Sequence, residues 1–348
     1  MFVFASSELD KVSVHQIGNK NNDEGMFLSK QALGLKSNLL KEKLLQFFVK
    51  SFTETEFYQF TSSNQDANLN PLFQFSKSVF NEVSDFHLMS INFAKHLYES
   101  SAHPQIKSGD FFVATIKNIQ VGHQSFDAIG LFKSENKHHF LTLQTGENAF
   151  ELDIHSGINP DKMDKGCLIF NTKEEDGYMV AIVDKSNKSE EAQYWKYQFL
   201  NIKPIADEYY QTKNFLTVAK EYVTKILPEA FEIDKTETID ILNRSVDYFK
   251  SHDQFEKEDF EAEIFQSPAI IESFRKFETD YNETHQIEAA NSFEINLQAV
   301  KKQARIFKSI LKLDKNFHIY IHGDKDLIEK GTDPDGRKFY KIYYQNED

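Results

Sequence analysis

The chain between Asp110 and Asp184 decides the fold: DFFVATIKNI (110–119), FDAIGLFKS (126–134), HHFLTLQT (138–145), FELDIHS (150–156), CLIFNT (167–172) and YMVAIVD (178–184). β-Branched and aromatic residues crowd these segments, and polar or glycine-bearing breaks separate them. Connections this short suit antiparallel neighbours, since a parallel pair needs a crossover of about a dozen residues or more. The six segments predict an antiparallel meander at the centre of an α+β fold.

Upstream, VSVHQIG (12–18) and GMFLSK (25–30) read as two strands around NKNNDE. A helix is expected from Leu35 to Phe52, with Leu39, Leu40, Leu44, Leu45, Phe48 and Phe52 on one buried face. TSSNQDANLNP (61–71) reads as a loop. Helical spacing returns in FNEVSDFHLMSINFAKHLYES (80–100), where Phe86, Met89, Phe93, Ala94 and Leu97 share a face. Beyond Pro204 the texture is helical. Ala206–Leu227 carries Tyr209, Phe215, Val218, Ala219, Tyr222 and Ile226 at helical steps, with Pro228 as a stop. TETIDILNRSVDYFKS (236–251) is a second helix with Thr236 or Thr238 as N-cap. The acidic DQFEKEDFEAE (253–263) reads as a solvated surface or loose connection, and Pro268 opens another helix. A last long helix is expected over Leu297–Leu313, and FHIYIHGD and RKFYKIYY, the latter after the turn signal DPDG, return to strand. The expected division is 1–204, an α+β domain built on the antiparallel sheet, and 205–348, mainly helical with C-terminal strands.

At 348 residues with 40% apolar content and 33 Phe, the chain can build a real core and is too long for one small domain. No apolar run reaches the roughly 20 residues of a membrane span. MFVFASSELDK lacks the basic and apolar regions of a signal peptide. The single cysteine, Cys167, allows no intrachain disulfide. These features predict a cytoplasmic protein with no membrane partner. Net charge is -14, which weighs against a general polyanion binder unless a local patch departs from the sum. Only four basic residues are Arg, at 244, 275, 305 and 337, so bidentate base reading has little to work with.

Several stretches carry a resemblance: VHQIG with GMFLSKQAL, SGDFFVATI, ELDIHSGINPDKMDKGCLIF, YWKYQFLNIKPIADEYYQTKNFLTVAKEYV, and FHIYIHGDKDLIEKGTDPDGRKFYKIYY. In order and spacing the chain resembles the bacterial 37-kDa nucleoid-associated protein family over nearly its whole length. The resemblance implies a cytoplasmic protein found with the nucleoid that binds DNA. It transfers no individual contact residue.

The residues offer one independent patch. In NLQAVKKQARIFKSILKLDK, Lys301, Arg305, Lys308, Lys312 and Lys315 step by four and three, with Lys302 beside them. On a continuous helix they make a cationic ridge next to an apolar stripe of Val300, Ala304, Phe307 and Leu311, a geometry suited to a phosphate backbone. A solvated face of a core helix explains the same pattern. Other constellations are weaker. His318, Tyr320 and His322 alternate on a strand with Asp324 beyond, two metal ligands without an evident third. Asp153 and His155 share a strand face, with Asp161 and Asp164 following, and no nucleophile accompanies them. Asp127, Glu135 and Lys137 imitate a metal-dependent nuclease. His138 and His139 alternate and cannot act as a pair. P-loop, dinucleotide, GxSxG, HExxH and paired CxxC motifs are absent, so no cofactor or metal is expected. The reading is a non-enzymatic, nucleoid-associated protein that binds double-stranded DNA with weak sequence preference through Lys301, Lys302, Arg305, Lys308, Lys312 and Lys315. The alternative is an interaction or scaffold module that reaches the nucleoid through a protein partner or as a homo-oligomer.

Overall fold

Alternation along the central strands organises the first unit. A computed structural model describes residues 2–53, 56–146, 149–185, 194–305, 310–320 and 327–346. The chain separates into two units, Met1–Ile205 and Ala206–Asp348. In the first, β1 is Phe2–Val3, β2 Glu8–Ile17, β3 Met26–Leu28, α1 Asn38–Val49, β4 Tyr58–Phe60, α2 Pro71–Phe80 and α3 Phe86–Ser100. There follow β5 (Gly109–Val121), β6 (Gln124–Ser134), β7 (His138–Thr145), β8 (Phe150–Gly157), β9 (Lys165–Phe170), β10 (Met179–Asp184) and β11 (Ile202–Pro204). Antiparallel pairing gives the order β11-β4-β10-β9-β6-β5-β2-β3, with β1 also on β5.

Successive side chains of a strand face opposite ways. Phe111, Val113, Ile129, Leu131, Cys167, Ile169 and Val180 enter one core with α2, α3 and Trp195. Phe112, Ala114, Ile116, Ala128, Phe132, Leu168, Phe170 and Ala181 enter another with Phe47, Phe48 and Phe52. A sheet covered on both faces demands apolar residues at both parities, which is why DFFVATI and CLIF are nearly continuous. Cys167 is a buried member of this core, and burial pushes its thiol well up.

The six segments are strands, but they do not form one meander. Lys133 to Ala128 of β6 pair directly with Lys165 to Phe170 of β9, and among the described residues β7 and β8 pair only with each other. Thr142, Gln144, Glu151 and Asp153 explain the exclusion: apart from Phe140, β7 and β8 are polar at one parity, so neither fits a doubly covered sheet. Two upstream elements also differ from expectation. Leu39 is 64% exposed, Leu44 and Leu45 are partly buried against the core, and full burial in α1 begins only at Phe47, toward its C-terminal end. After the Ala67–Leu69 turn, Pro71 opens α2, capped by Asn70, whose side chain accepts from the Leu72 and Phe73 amides. The α3 face comes out as expected, with Phe86, Met89, Phe93, Ala94 and Leu97 all buried.

In the second unit α4 (Glu208–Glu221) continues through a π-helical turn, Tyr222–Ile226, into α5 (Leu227–Ala230). Pro228 does not stop the helix; it occupies the first turn of α5, where a missing amide proton is tolerated. α6 (Lys235–Ser251) is capped by Asp234, whose carboxylate accepts from the Thr236 and Glu237 amides, and not by a threonine. The acidic run is structured. β12 (Gln254–Glu256) pairs with β13 (Ser292–Glu294), α7 spans Lys257–Ile264, and Phe255 and Phe260 are fully buried. Within α7, Glu261 is only 1% exposed and receives Arg275 Nε and Nη2. α8 (Pro268–His285) opens at Pro268 as expected. α9 is Leu297–Ala304, followed by the hairpin β14 (Ile310–Leu313)/β15 (Phe317–Tyr320) and the hairpin β16 (Ile328–Thr332)/β17 (Lys338–Ile342). The second hairpin turns through Asp333–Gly336, with Gly336 at φ +83°, a conformation that favours glycine. The turn signal DPDG sits where the second hairpin reverses, and the first hairpin reverses at Asp314, φ 51°.

Candidate nucleic-acid interface

Asn296 caps α9 by accepting from the Gln298 and Ala299 amides, and Ala299, Val300 and Gln303 bury the inner face. Lys301 and Lys302 occupy its last turn, exposed, where the helix dipole favours cations, and exposed Arg305 follows as C-cap. There the expected ridge ends. Residues 310–313 form a strand, and Lys312 stands opposite His318 in the β14/β15 register. Lys315 is exposed in the hairpin connection, and Lys308 lies outside the described residues. Of that stripe, the four described residues are split: Lys301 lies on the short helix and Arg305 at its C-cap, while Lys312 and Lys315 belong to the hairpin.

Tertiary packing explains the change. Leu313, Ile319, Ile328 and Tyr340 gather around Ile239 of α6, joining both hairpins to the helical body. The register sets 310–313 antiparallel against 317–320, with Leu313 opposite Phe317. What survives is concentration of charge: six of residues 301–315 are Lys or Arg and one, Asp314, is acidic. The next hairpin carries Lys330, Arg337, Lys338 and Lys341 against Glu329, Asp333 and Asp335, with Arg337 beside Asp335 at 3.1 Å, so it adds little net charge.

The catalytic imitations come apart. Asp127 holds the Asn118 amide near the start of β6, while Glu135 follows its end, roughly 26 Å away at about 3.3 Å per residue. Lys137 pairs with Asp110 instead. Asp153 and His155 lie on the exposed β8, His155 against Phe140 at 5.8 Å between ring centroids. Asp161 pairs with Lys50, which holds its carboxyl below the usual range, while Asp164 accepts from the Glu135 and Asn136 amides. His318 is on β15, and His322 and Asp324 lie outside the described residues. Among the described residues no cluster of His, Cys, Asp or Glu could hold a metal ion.

Two buried polar groups escaped the sequence reading. Lys133 and Lys165 face each other across β6 and β9. Lys133 Nζ donates to Lys107 O, Glu135 Oε1 and Tyr194 OH at 2.6, 3.0 and 3.1 Å; Lys165 binds Asp184 at 2.9 Å. The Tyr194 ring lies 5.6 and 5.2 Å from the two ammonium groups. Burial lowers Lys133 and raises Tyr194 from their ordinary values. A signal existed: in AIGLFKS, Lys133 has the same strand parity as the core residues Ile129 and Leu131. The second group links β2 to α3. The Ser29 amide donates to His15 Nδ1 at 3.2 Å, which places the His15 proton on Nε2, 2.9 Å from Ser90 Oγ. His87 Nε2 donates to Ser29 O at 3.0 Å, leaving Nδ1 to accept from Ser13 Oγ at 2.8 Å. Burial, reinforced by neighbouring His87, lowers His15 to about 4.

The first unit is a doubly covered antiparallel sheet and the second a helical body carrying two hairpins, which together define a two-unit α+β protein. Residues 13–337 match the model of the nucleoid-associated protein YejK family, NA37, and the chain belongs to that family. No curated protein matches the chain. The family is nucleoid-associated. No helix among the described residues is long and apolar enough to cross a membrane.

Proposed function

We propose that this chain binds double-stranded DNA directly, catalyses no reaction on it, and makes its contact through residues 301–315. The observation that carries the reading is the six-to-one excess of cations over acids in that segment of a chain whose net charge is -14. Nucleoid association of the family supports it. Lys301, Lys302, Arg305 and Lys315 are exposed, and a cationic patch meets a polyanion locally whatever the total charge. Lysine dominates and Arg305 is the segment's one arginine, so the contact reads phosphate more than base edges and sequence preference is weak.

Fluorescence anisotropy of a labelled random duplex against salt tests the proposal. Five or six phosphate contacts give a log–log slope of about 4.5–5.5. Lys301→Glu with Lys315→Glu should weaken binding and lower the slope by about 2, since each lost contact removes about 0.9. Both positions are exposed, so unfolding is not expected to confuse the result. An unchanged slope removes the contact from 301–315, and no binding at low salt overturns direct DNA binding.

A further inference from the structure

The hairpin β7/β8 is paired along its whole length, from His138 opposite Gly157 to Thr145 opposite Phe150, and closes with the Gly146 amide on Ala149 O at 2.9 Å. Its register sets Leu141 opposite Ile154 and Leu143 opposite Leu152. Alternation puts these four on one face with Phe150, His139, Thr145 and Ser156. The five large apolar residues are 61–71% exposed, and the face carries no carboxylate, lysine or arginine. Gln144, Glu151 and Asp153 mark the opposite face. Neither strand joins the main sheet among the described residues. A lone two-stranded hairpin is marginal in water, and contiguous apolar surface of this kind marks an interaction site.

We propose that this face is a self-association surface, on which the hairpin packs against the same hairpin of a second copy about a twofold axis. An isologous contact places identical surfaces together, and most soluble homo-oligomers use one. The uncharged face lets two chains of net charge -14 meet without like charges at the centre of the contact. At about 100 Å² of apolar surface per side chain, the ten side chains of two faces withdraw on the order of 1,000 Å². With a polar rim this reaches the low end of specific interfaces, about 1,200 Å² in total. Two such faces of equal length and the same twist stack as aligned sheets do. A lipid surface is a poorer occupant, since Glu151 and Asp153 back the hairpin with charge that anionic headgroups repel.

Light scattering on the full chain at micromolar concentration, in high salt after nuclease treatment so that nucleic acid cannot bridge copies, decides it. The wild type should weigh twice 40.5 kDa. Leu143→Lys with Leu152→Glu should weigh 40.5 kDa, because the new cross-strand pair preserves the hairpin while charging its face. Replacing 138–157 by a Gly/Ser linker should do the same, and unchanged Trp195 emission verifies the fold. A monomeric wild type, which would assign the face to a different protein, overturns the proposal, as does either variant at doubled mass. Neither variant touches 301–315, so DNA binding is read separately.

Discussion

His15 makes the first unit sensitive to acid in a way that can be calculated. Its folded value of about 4 lies below the ordinary 6.5 because burial and His87 oppose a second proton, and Nδ1 is occupied by the Ser29 amide. Between those values the unfolded chain binds a proton that the folded chain refuses, so stability falls as pH drops from 6.5 towards 4 and is unaffected by this group above 7. From pH 7 to pH 5 the linkage relation gives a loss of about 2 kcal/mol. For a unit of 205 residues that corresponds to roughly 4–8 °C in Tm. Trp195 is the chain's one tryptophan and is fully buried in the first unit, so its fluorescence during heating follows this unit. Carboxylates titrate as well, and the informative quantity is therefore the difference between wild type and His15→Gln. The variant starts from a lower Tm, having lost the Ser90 and Ser29 bonds in their native form, but its Tm should fall less over pH 7 to 5. Equal falls in both proteins would refute the assignment of the acid sensitivity to His15.

Two further outcomes follow from burial. Lys133→Met leaves Glu135 and Tyr194 without their buried ammonium and should cost about 3–5 kcal/mol in urea unfolding, while adding Glu135→Gln should recover most of it, since neutralising both members of a buried pair is often close to neutral. Phe48, stacked on Phe132 at 4.2 Å between ring centroids, should lose about 3–5 kcal/mol on change to Ala, whereas Leu39→Ala on the same helix should stay within about 1 kcal/mol, and equal costs would contradict the burial of only one end of α1.

Much of the fold is written in periods that the chain carries locally. β-Branched and aromatic runs between polar or glycine breaks located the strands from β5 to β10, helical spacing found the buried face of α3, and Pro268 marked the start of α8. Position in the fold is another matter, because it depends on partners far away in sequence. FELDIHS states that one face of β8 is apolar, but only the direct pairing of β6 with β9 expels that strand from the sheet and leaves the face exposed. The cationic segment shows the same division. Its charge is legible residue by residue. Its apolar residues Ile310, Leu311 and Leu313 fit a helical stripe as readily as a strand, and short apolar runs do not discriminate between the two. Pairing with 317–320 and packing of Leu313, Ile319, Ile328 and Tyr340 on Ile239 tipped that balance towards strand. The sequence by itself determined a cationic stretch near the C-terminus and a set of strands suited to antiparallel pairing. The tertiary structure decided that the cations divide between a helix end and a hairpin, because local period sets which residues share a face and non-local burial selects which period is used.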